Sequence, residues 1–191
     1  MAEMKGEYMI ILIGDSASGK STVEKVLNEK YGMKKVISYT TRPPKDNEVN
    51  GIDYNFISMN DFLEMDDEQV FVEIGAYRGN FYGSTKVQYD ENTVATLTPH
   101  GLRKLRKKLN MPFFSVYIKV PRKDRLIKML TRKPNKDDVE ECIIKNQYDV
   151  GMYNGVSDEV DFVIENPGYK LTPDEIAEII YNKSKENIHY D

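Results

Sequence analysis

Residues 14 to 21 spell G-D-S-A-S-G-K-S, a complete G-x-x-x-x-G-K-[ST] frame, and they follow directly on the apolar run from Tyr8 to Ile13. A chain with this frame in this place has few options: a buried strand, a glycine loop, then a helix. Gly14 and Gly19 let the backbone curl without Cβ clashes, so that successive N–H groups point inward at phosphate oxygens. Lys20 then brings a point charge to the β- and γ-phosphates, and Ser21 brings a hydroxyl to Mg2+. Val23, Val26 and Leu27 stand at i, i+3 and i+4, one face of a helix whose positive dipole end meets the same anion. The segment reads as a nucleoside triphosphate site.

The rest of the chain continues the alternation that this unit begins. Apolar runs at 8–13, 36–39, 93–98, 113–119 and 160–165 read as strands, and helical patterns fall at 20–30, 100–109, 122–131, 138–150 and 173–185. Strand and helix in turn predict an α/β fold: three layers, with a parallel five-stranded sheet covered by helices on both faces. The last helix has the sharpest start. Thr172 is its N-cap, Pro173 takes the first helical position, Glu175 completes a capping box, and Ile176, Ile179 and Ile180 share a face. Between about 41 and 85 the rhythm breaks into short β-like pieces, with turn signals at Asn50-Gly51 and Gly79-Asn80 among the aromatics Tyr54, Phe56, Phe71, Tyr77, Phe81 and Tyr82. A small inserted sheet is expected there, well placed to bring a second ligand toward the γ-phosphate.

Composition narrows the partners. The 191 residues suffice for one core and a small insertion, read here as a single domain. A net charge of −4, from 27 basic and 31 acidic residues, is not that of a protein holding a nucleic acid polymer by bulk electrostatics. The run 8–13 is too short to span a bilayer, and Glu3 and Glu7 beside Lys5 are unlike the cationic start of a signal peptide. The expectation is a cytoplasmic protein with no membrane contact. Cys142 is the single cysteine, which leaves no internal disulfide, and His100 and His189 are too few for a structural zinc cluster. Cys142 reads as a small apolar residue on a helix face. Basic residues gather in two runs. Arg103 to Lys108 reads as a solvated helix face, while the run from Lys119 to Lys136 asks for a role near the triphosphate.

A phosphate loop does not choose among ATPases, GTPases, transporters and kinases. The segment Ser38 to Phe56 does more, because it packs Arg42, Lys45, Glu48 and Tyr54 into a dense polar stretch. It resembles the acceptor-binding segment of guanylate kinases, whose pattern runs S-x-x-T-R-x-P-R-x-x-E-x-x-G-x-D-Y-x-F. Glu73 and the stretch Gly79 to Thr85, similar to that family's G-x-x-Y-G-[ST], extend the resemblance, so that matching motifs cover about the first 85 residues in order and spacing. In the second half only the strand and helix rhythm and local pieces such as Asp161 to Asn166 match.

The resemblance implies a kinase that transfers the γ-phosphoryl group of ATP to GMP or dGMP, with ATP and GMP as its small-molecule partners. It implies that Gly14, Asp15, Ser16, Ala17, Ser18, Gly19, Lys20, Ser21 and Thr22 hold ATP, with Mg2+ as cofactor and Ser21 as its protein ligand. Acceptor binding falls to Ser38, Arg42, Lys45, Tyr54, Glu73, Tyr82, Ser84 and Thr98. The chemistry agrees: a planar guanidinium grips a dianionic phosphate bidentately, and a carboxylate accepts from guanine N1–H and N2–H2, a donor pair that adenine lacks. Segment 41–85 becomes the acceptor-binding insertion in a core of 1–40 and 86–191. A helical lid is implied near 130–140, where Arg132 joins Lys20 and Arg42 as a catalytic cation and Arg125 lies on the helix leading in. The quaternary state expected is monomer or homodimer.

Three features depart from the family pattern. Thr96 and Thr98 stand where guanylate kinases usually carry a D-x-D pair near the Mg2+ waters and the guanine amino group. The arginine after the lid has no counterpart between Glu140 and Asp149, where Lys145 is the nearest cation, and Lys45 replaces an arginine. Two other readings therefore stand beside the first: a kinase of the same fold with a shifted acceptor, such as another deoxynucleoside monophosphate, and a catalytically weak nucleotide-binding module.

Overall fold

The computed structural model describes residues 9–132 and 136–186. The part of the expected first strand at Tyr8, the acidic stretch Glu3 to Glu7, and the portion of the expected lid at 133–135 lie outside the described residues.

In chain order the elements are β1 (Met9–Ile13), α1 (Lys20–Tyr31), β2 (Lys34–Lys35), β3 (Tyr39–Thr40), β4 (Asn55–Phe56), α2 (Met59–Asp67), β5 (Phe71–Tyr77), β6 (Asn80–Thr85), β7 (Thr93–Thr96), α3 (Pro99–Lys108), β8 (Phe113–Lys119), α4 (Arg122–Arg132), α5 (Lys136–Met152), β9 (Phe162–Glu165) and α6 (Pro173–Glu186). Five strands form one sheet in the order β2-β7-β1-β8-β9, every neighbouring pair parallel. β1 is central and wholly buried, and its residues alternate between the two cores. Met9, Ile11 and Ile13 pack with Leu102 and Leu105 of α3. Ile10 and Leu12 pack with Val23 and Leu27 of α1 and with Ile176 and Ile180 of α6. The near-continuous apolar run of β1 follows from having helices on both faces.

Four further strands form a small mixed sheet, β4-β3-β6-β5, with β3 and β4 parallel and β3-β6 and β5-β6 antiparallel. The β5-β6 hairpin closes through Arg78 and Gly79, with φ of 51° and 76°. Two left-handed residues in a two-residue loop match the right-handed twist of the strands they join. The turn thus lies one residue before the expected Gly79-Asn80 pair.

Three expectations change. The run 36–39 is two pieces rather than one strand. β2 ends at Lys35, Val36 still donates to the carbonyl of Val94 at 2.9 Å, and the chain then leaves for the second sheet at Tyr39. At that passage the Ile37 carbonyl accepts two side-chain amides, Asn55 Nδ2 at 2.9 Å and Gln88 Nε2 at 2.7 Å. The run 93–98 ends as a strand at Thr96, because Thr98 accepts the amide of Gly101 at 3.1 Å as N-cap of α3 and Pro99 occupies its first turn. The inserted segment also holds a helix, α2, that its β-like pieces did not suggest. Ser58 and Asp61 form its capping box, and Phe62, 1% exposed, stacks on Phe71 at 4.6 Å beneath the hairpin. The capping box expected for the last helix is present, Thr172 and Glu175 exchanging bonds at 2.7 and 3.2 Å.

Candidate active site

β1 delivers the chain to the phosphate loop and α1 carries it away. A Cβ on Gly14 would come within 2.5 Å of Ser18 Oγ and 3.0 Å of the Ile118 carbonyl, and Gly19 sits at φ 100°, so both glycines are dictated by the curl. Ala17 is also left-handed, at φ 63°. Inside the loop Lys20 Nζ folds back onto the carbonyls of Gly14 and Asp15, at 2.5 and 2.8 Å. Burial lowers the pKa of this ammonium to about 8, against the pull of Asp149 and Asp15. The Ser18 hydroxyl, buried on the same loop, has no hydrogen-bond partner among the described residues. Such an orphan, the first N–H groups of α1 and a lysine together suit a loop folded around an anion.

A buried charge network backs the loop. Asp15 accepts the Tyr117 hydroxyl at 2.7 Å and pairs with Arg125 at 2.9 Å. Burial pushes the Asp15 carboxyl up, while Tyr117 and Arg125 hold it down. Arg125 reaches across to Asp149 at 3.3 Å. Asp149 also accepts the Ser16 amide at 2.8 Å and the Tyr77 hydroxyl at 2.9 Å, and that hydroxyl pairs with Ser16 Oγ at 2.8 Å. Arg125 belongs to the basic run expected to act at the triphosphate, and it is spent on these two carboxylates.

The opposite wall is the small sheet. Glu73, 3% exposed, lies in register with Ser84 across the hairpin and accepts its hydroxyl at 2.6 Å. Ser84 shares a second bond with Tyr89 at 2.6 Å. Burial pushes the Glu73 carboxyl up to about 7, with Ser84 and Lys104 opposing. Two glycines make room here: a Cβ at Gly101 would meet Glu73 Oε2 at 2.5 Å, and one at Gly75 would meet Thr98 Oγ1 at 2.5 Å. Nearby, Arg42 holds Glu48 bidentately at 2.8 and 3.0 Å, and its guanidinium stands over the rings of Tyr54 and Phe56 at 5.3 and 5.6 Å. Although burial raises it, the Glu48 carboxyl is drawn down to about 2 by Arg42, the Lys45 amide and the Lys45 charge. Burial pushes the Tyr54 phenol up, helped by Tyr82 and Glu24.

Between the two walls lies a cleft of about 580 Å³. Of the residues expected to bind the donor, Ser16, Ala17, Lys20 and Ser21 line it. Gly14, Asp15 and Ser18 are buried in the loop, and Thr22 is exposed on α1. On the acceptor side Ser38, Arg42, Lys45, Tyr54, Glu73, Tyr82 and Thr98 line the cleft, as does Arg132 at the end of α4. Ser84 is fully buried behind Glu73. Lys145 reaches the cleft from α5, and burial, with Lys45 nearby, lowers its pKa. Of the departures, Thr96 donates to Glu24 at 3.0 Å and Thr98 caps α3. The sequence marked Tyr77 only as an aromatic of the insertion, and it did not mark Asp149 or Glu24 as site residues. Asp149 has no motif around it, and Glu24 carries only its spacing from Lys20.

Among the described residues no group of three or more His, Cys, Asp or Glu could hold a metal by itself, and no helix is long and apolar enough to cross a membrane. The family profile described as guanylate kinase matches residues 6–183 of the chain. A guanylate kinase of Campylobacter jejuni is 30% identical over 182 residues, covering 91% of this chain and 87% of its own. One from Prochlorococcus marinus is 29% identical over 173 residues, covering 82% and 92%. Among solved structures, a guanylate kinase from Anaplasma phagocytophilum superposes with a TM-score of 0.69 at 22% identity, over 96% of this chain and 89% of that one, which is a likeness of fold.

Proposed function

The chain belongs to the guanylate kinase family, and from that premise we infer that it transfers the γ-phosphoryl group of ATP to GMP, giving ADP and GDP. The observation that carries this reading is two unlike walls facing one cleft. Lys20 and Ser21 stand on one, and Arg42, Tyr82 and a buried carboxylate, Glu73, stand on the other. The reading includes a cytoplasmic location, segment 41–85 as the acceptor-binding insertion, and residues about 130–140 as a lid.

Phosphoryl transfer needs in-line alignment and cations on the migrating group more than covalent help. Lys20 supplies a fixed charge to the donor phosphates within the loop. Arg42, its two terminal nitrogens gripped by Glu48 and its plane set by the Tyr54 and Phe56 rings, has its Nε edge left to offer the acceptor phosphate, with Lys45, Tyr54 and Tyr82 beside it. Arg132 reaches the migrating group from the end of α4. Glu73 in its ionised form accepts from guanine N1–H and N2–H2. Ser38 and Thr98 offer hydroxyls at the base, and Ser84 acts from behind by holding Glu73. A base without the donor pair leaves these buried groups unmatched, which costs several kcal/mol in order of magnitude. Water excluded from the cleft cannot intercept the phosphoryl group.

Kinases of this family use ATP with a divalent metal. The donor set suits Mg2+: one hydroxyl, Ser21, at the open end of the loop, and no cage of carboxylates among the described residues. Mg2+ favours that arrangement, taking phosphates and waters for its other positions. When bound it neutralises charge on the β- and γ-oxygens.

The test is ADP production with GMP, dGMP, AMP, dTMP and UMP as acceptors. Turnover is expected with the guanine nucleotides. Turnover centred on another base would move the acceptor assignment, and none with any acceptor would replace the reading with that of a nucleotide-binding module.

A further inference from the structure

Glu24 is a buried carboxylate on the first turns of α1, 6% exposed. It stands four residues after Lys20 and three after Ser21, so it shares their side of the helix. Helical side chains lean toward the N-terminus, which carries the carboxylate back toward the phosphate loop. One oxygen accepts the Thr96 hydroxyl at 3.0 Å, from a residue that lines the cleft. The other has Lys35 Nζ at 3.7 Å, an ion pair too long for a direct hydrogen bond. Lys35 in turn donates to the carbonyls of Ile52 and Asp53 and lies 6.0 Å from the Tyr54 ring. Burial raises the Glu24 carboxyl, with Lys35, Thr96 and Lys20 opposing, and its charge reaches the Tyr54 phenol. The carboxylate therefore lies directly behind the cleft wall, against Thr96, with Lys35 on its other side.

A buried carboxylate on a helix face that could have held leucine is costly unless its charge is used. Nor does its surrounding explain it fully, since one oxygen is only loosely paired. The strand that approaches this point from the sheet, β7, ends in the hydroxyl of Thr96 and brings no charge. Resting on the phosphotransfer reading above, we propose that Glu24 is the residue that positions the water shell of the divalent metal at the seam between donor and acceptor, with Thr96 orienting it. Ser21 would touch the ion directly; Glu24 would accept from the waters on it. The negative charge that neutral β7 does not supply would come from α1.

The test separates metal binding from turnover. Free Mn2+ is followed by electron paramagnetic resonance as it is titrated into the protein saturated with a non-hydrolysable ATP analogue, and calorimetry gives analogue affinity without metal. Removing a partner that orients metal-bound groups weakens metal affinity by about 10- to 100-fold, so Glu24→Gln is expected to raise the Mn2+ half-saturation about tenfold or more. Metal-free analogue binding should hold or tighten, because a charge that repels the triphosphate has gone. A merely structural staple between α1 and β2 would instead weaken both bindings together as the melting temperature falls, and that result overturns the proposal. Thr96→Val, which leaves the Glu24–Lys35 pair in place, should move Mn2+ affinity in the same direction. If Glu24→Gln does not fold, Thr96→Val decides alone, and unchanged Mn2+ affinity overturns the proposal. Wild type that phosphorylates GMP while the variants keep their Mn2+ affinity sinks this proposal only. Wild type that binds the Mn2+–analogue in a Glu24-dependent way but phosphorylates nothing sinks the phosphotransfer reading only.

Discussion

Asp149 accepts the backbone amide of Ser16 at 2.8 Å, although the two residues are 133 positions apart and Asp149 has no exposed surface. The same carboxylate takes the Tyr77 hydroxyl from the small sheet and pairs with Arg125 of α4. Donor loop, acceptor wall and both helices flanking residues 133–135 thus meet at one side chain. In a low-dielectric setting such a group rigidifies what it joins as long as every partner is present.

Asp149→Asn keeps the shape and removes the charge that faces Arg125. A loss of about 1–3 kcal/mol is expected, the cost of unbalancing a buried charged hydrogen bond. Asp149→Ala, which strands Arg125 with Asp15 alone, should cost about 3–5 kcal/mol. Urea midpoints measure both, and a midpoint unmoved in the alanine variant would show that the carboxylate carries no share of the fold.

Tyr77→Phe cuts one joint and spares the other. The hydroxyl leaves Ser16 Oγ and Asp149 but the Ser16 amide keeps its acceptor. Stability should fall by about 1 kcal/mol. Hydrogen exchange distinguishes the roles: the Ser16 amide should stay protected in Tyr77→Phe and lose protection in Asp149→Ala.

Glu73 links stability to pH. Its carboxyl is raised from 4.5 to about 7 in the folded protein, so the native state holds the proton more tightly than the unfolded chain does. The stability that proton contributes is complete below pH 4.5 and is lost as pH rises through 7. Glu73→Gln removes this titration, so its stability relative to wild type should climb between pH 4.5 and 7, by a few kcal/mol at the plateau in order of magnitude. GMP affinity should run the other way, rising in wild type toward pH 7 as the carboxylate forms, and staying weak and free of this step in the variant. Denaturation at pH 5 and pH 8 checks the first statement; an equal difference between the proteins at both values would contradict it.

Lys20→Met should reduce transfer by at least about 10²-fold, the scale of losing one preorganised charge at a reacting centre, while the protein stays folded. The ammonium it removes is held in a buried place that lowers its pKa to about 8, so the fold gives up little. Full activity with an unchanged circular dichroism spectrum would remove the lysine from the donor site.

The parts of this molecule that could be read from the chain are those whose cause is local. The phosphate loop is contiguous, and its glycines are required by backbone curl at Gly14 and Gly19. The ends of α1, α3, α4 and α6 fall within a residue or two of the apolar periodicity, because caps such as Thr98 and Thr172 sit beside them. Helix α2 was hidden by its short apolar face, though the S-x-x-D spacing of Ser58 and Asp61 marked its start. The break at Val36 could not be read, since a strand that changes sheets keeps the same composition on both sides. Asp149, Tyr77 and Arg125 belong together only after α4, α5 and β5 have packed, and no spacing in the sequence announces that meeting. Glu24 stands beside the exposed Lys25 in a polar stretch of α1, so burial alone tells it from a solvent-facing residue.

The Ile37 carbonyl receives Asn55 from inside the insertion and Gln88 from just beyond its far end. Both passages between the two sheets are therefore stitched at a single atom. That atom is one tie among several: Lys35 reaches the carbonyls of Ile52 and Asp53, and Lys108 that of Phe71, while Tyr77 meets Asp149. The acceptor wall is thereby anchored to the core along its whole length, and the spacing of the two walls is a property of the folded protein before any nucleotide arrives.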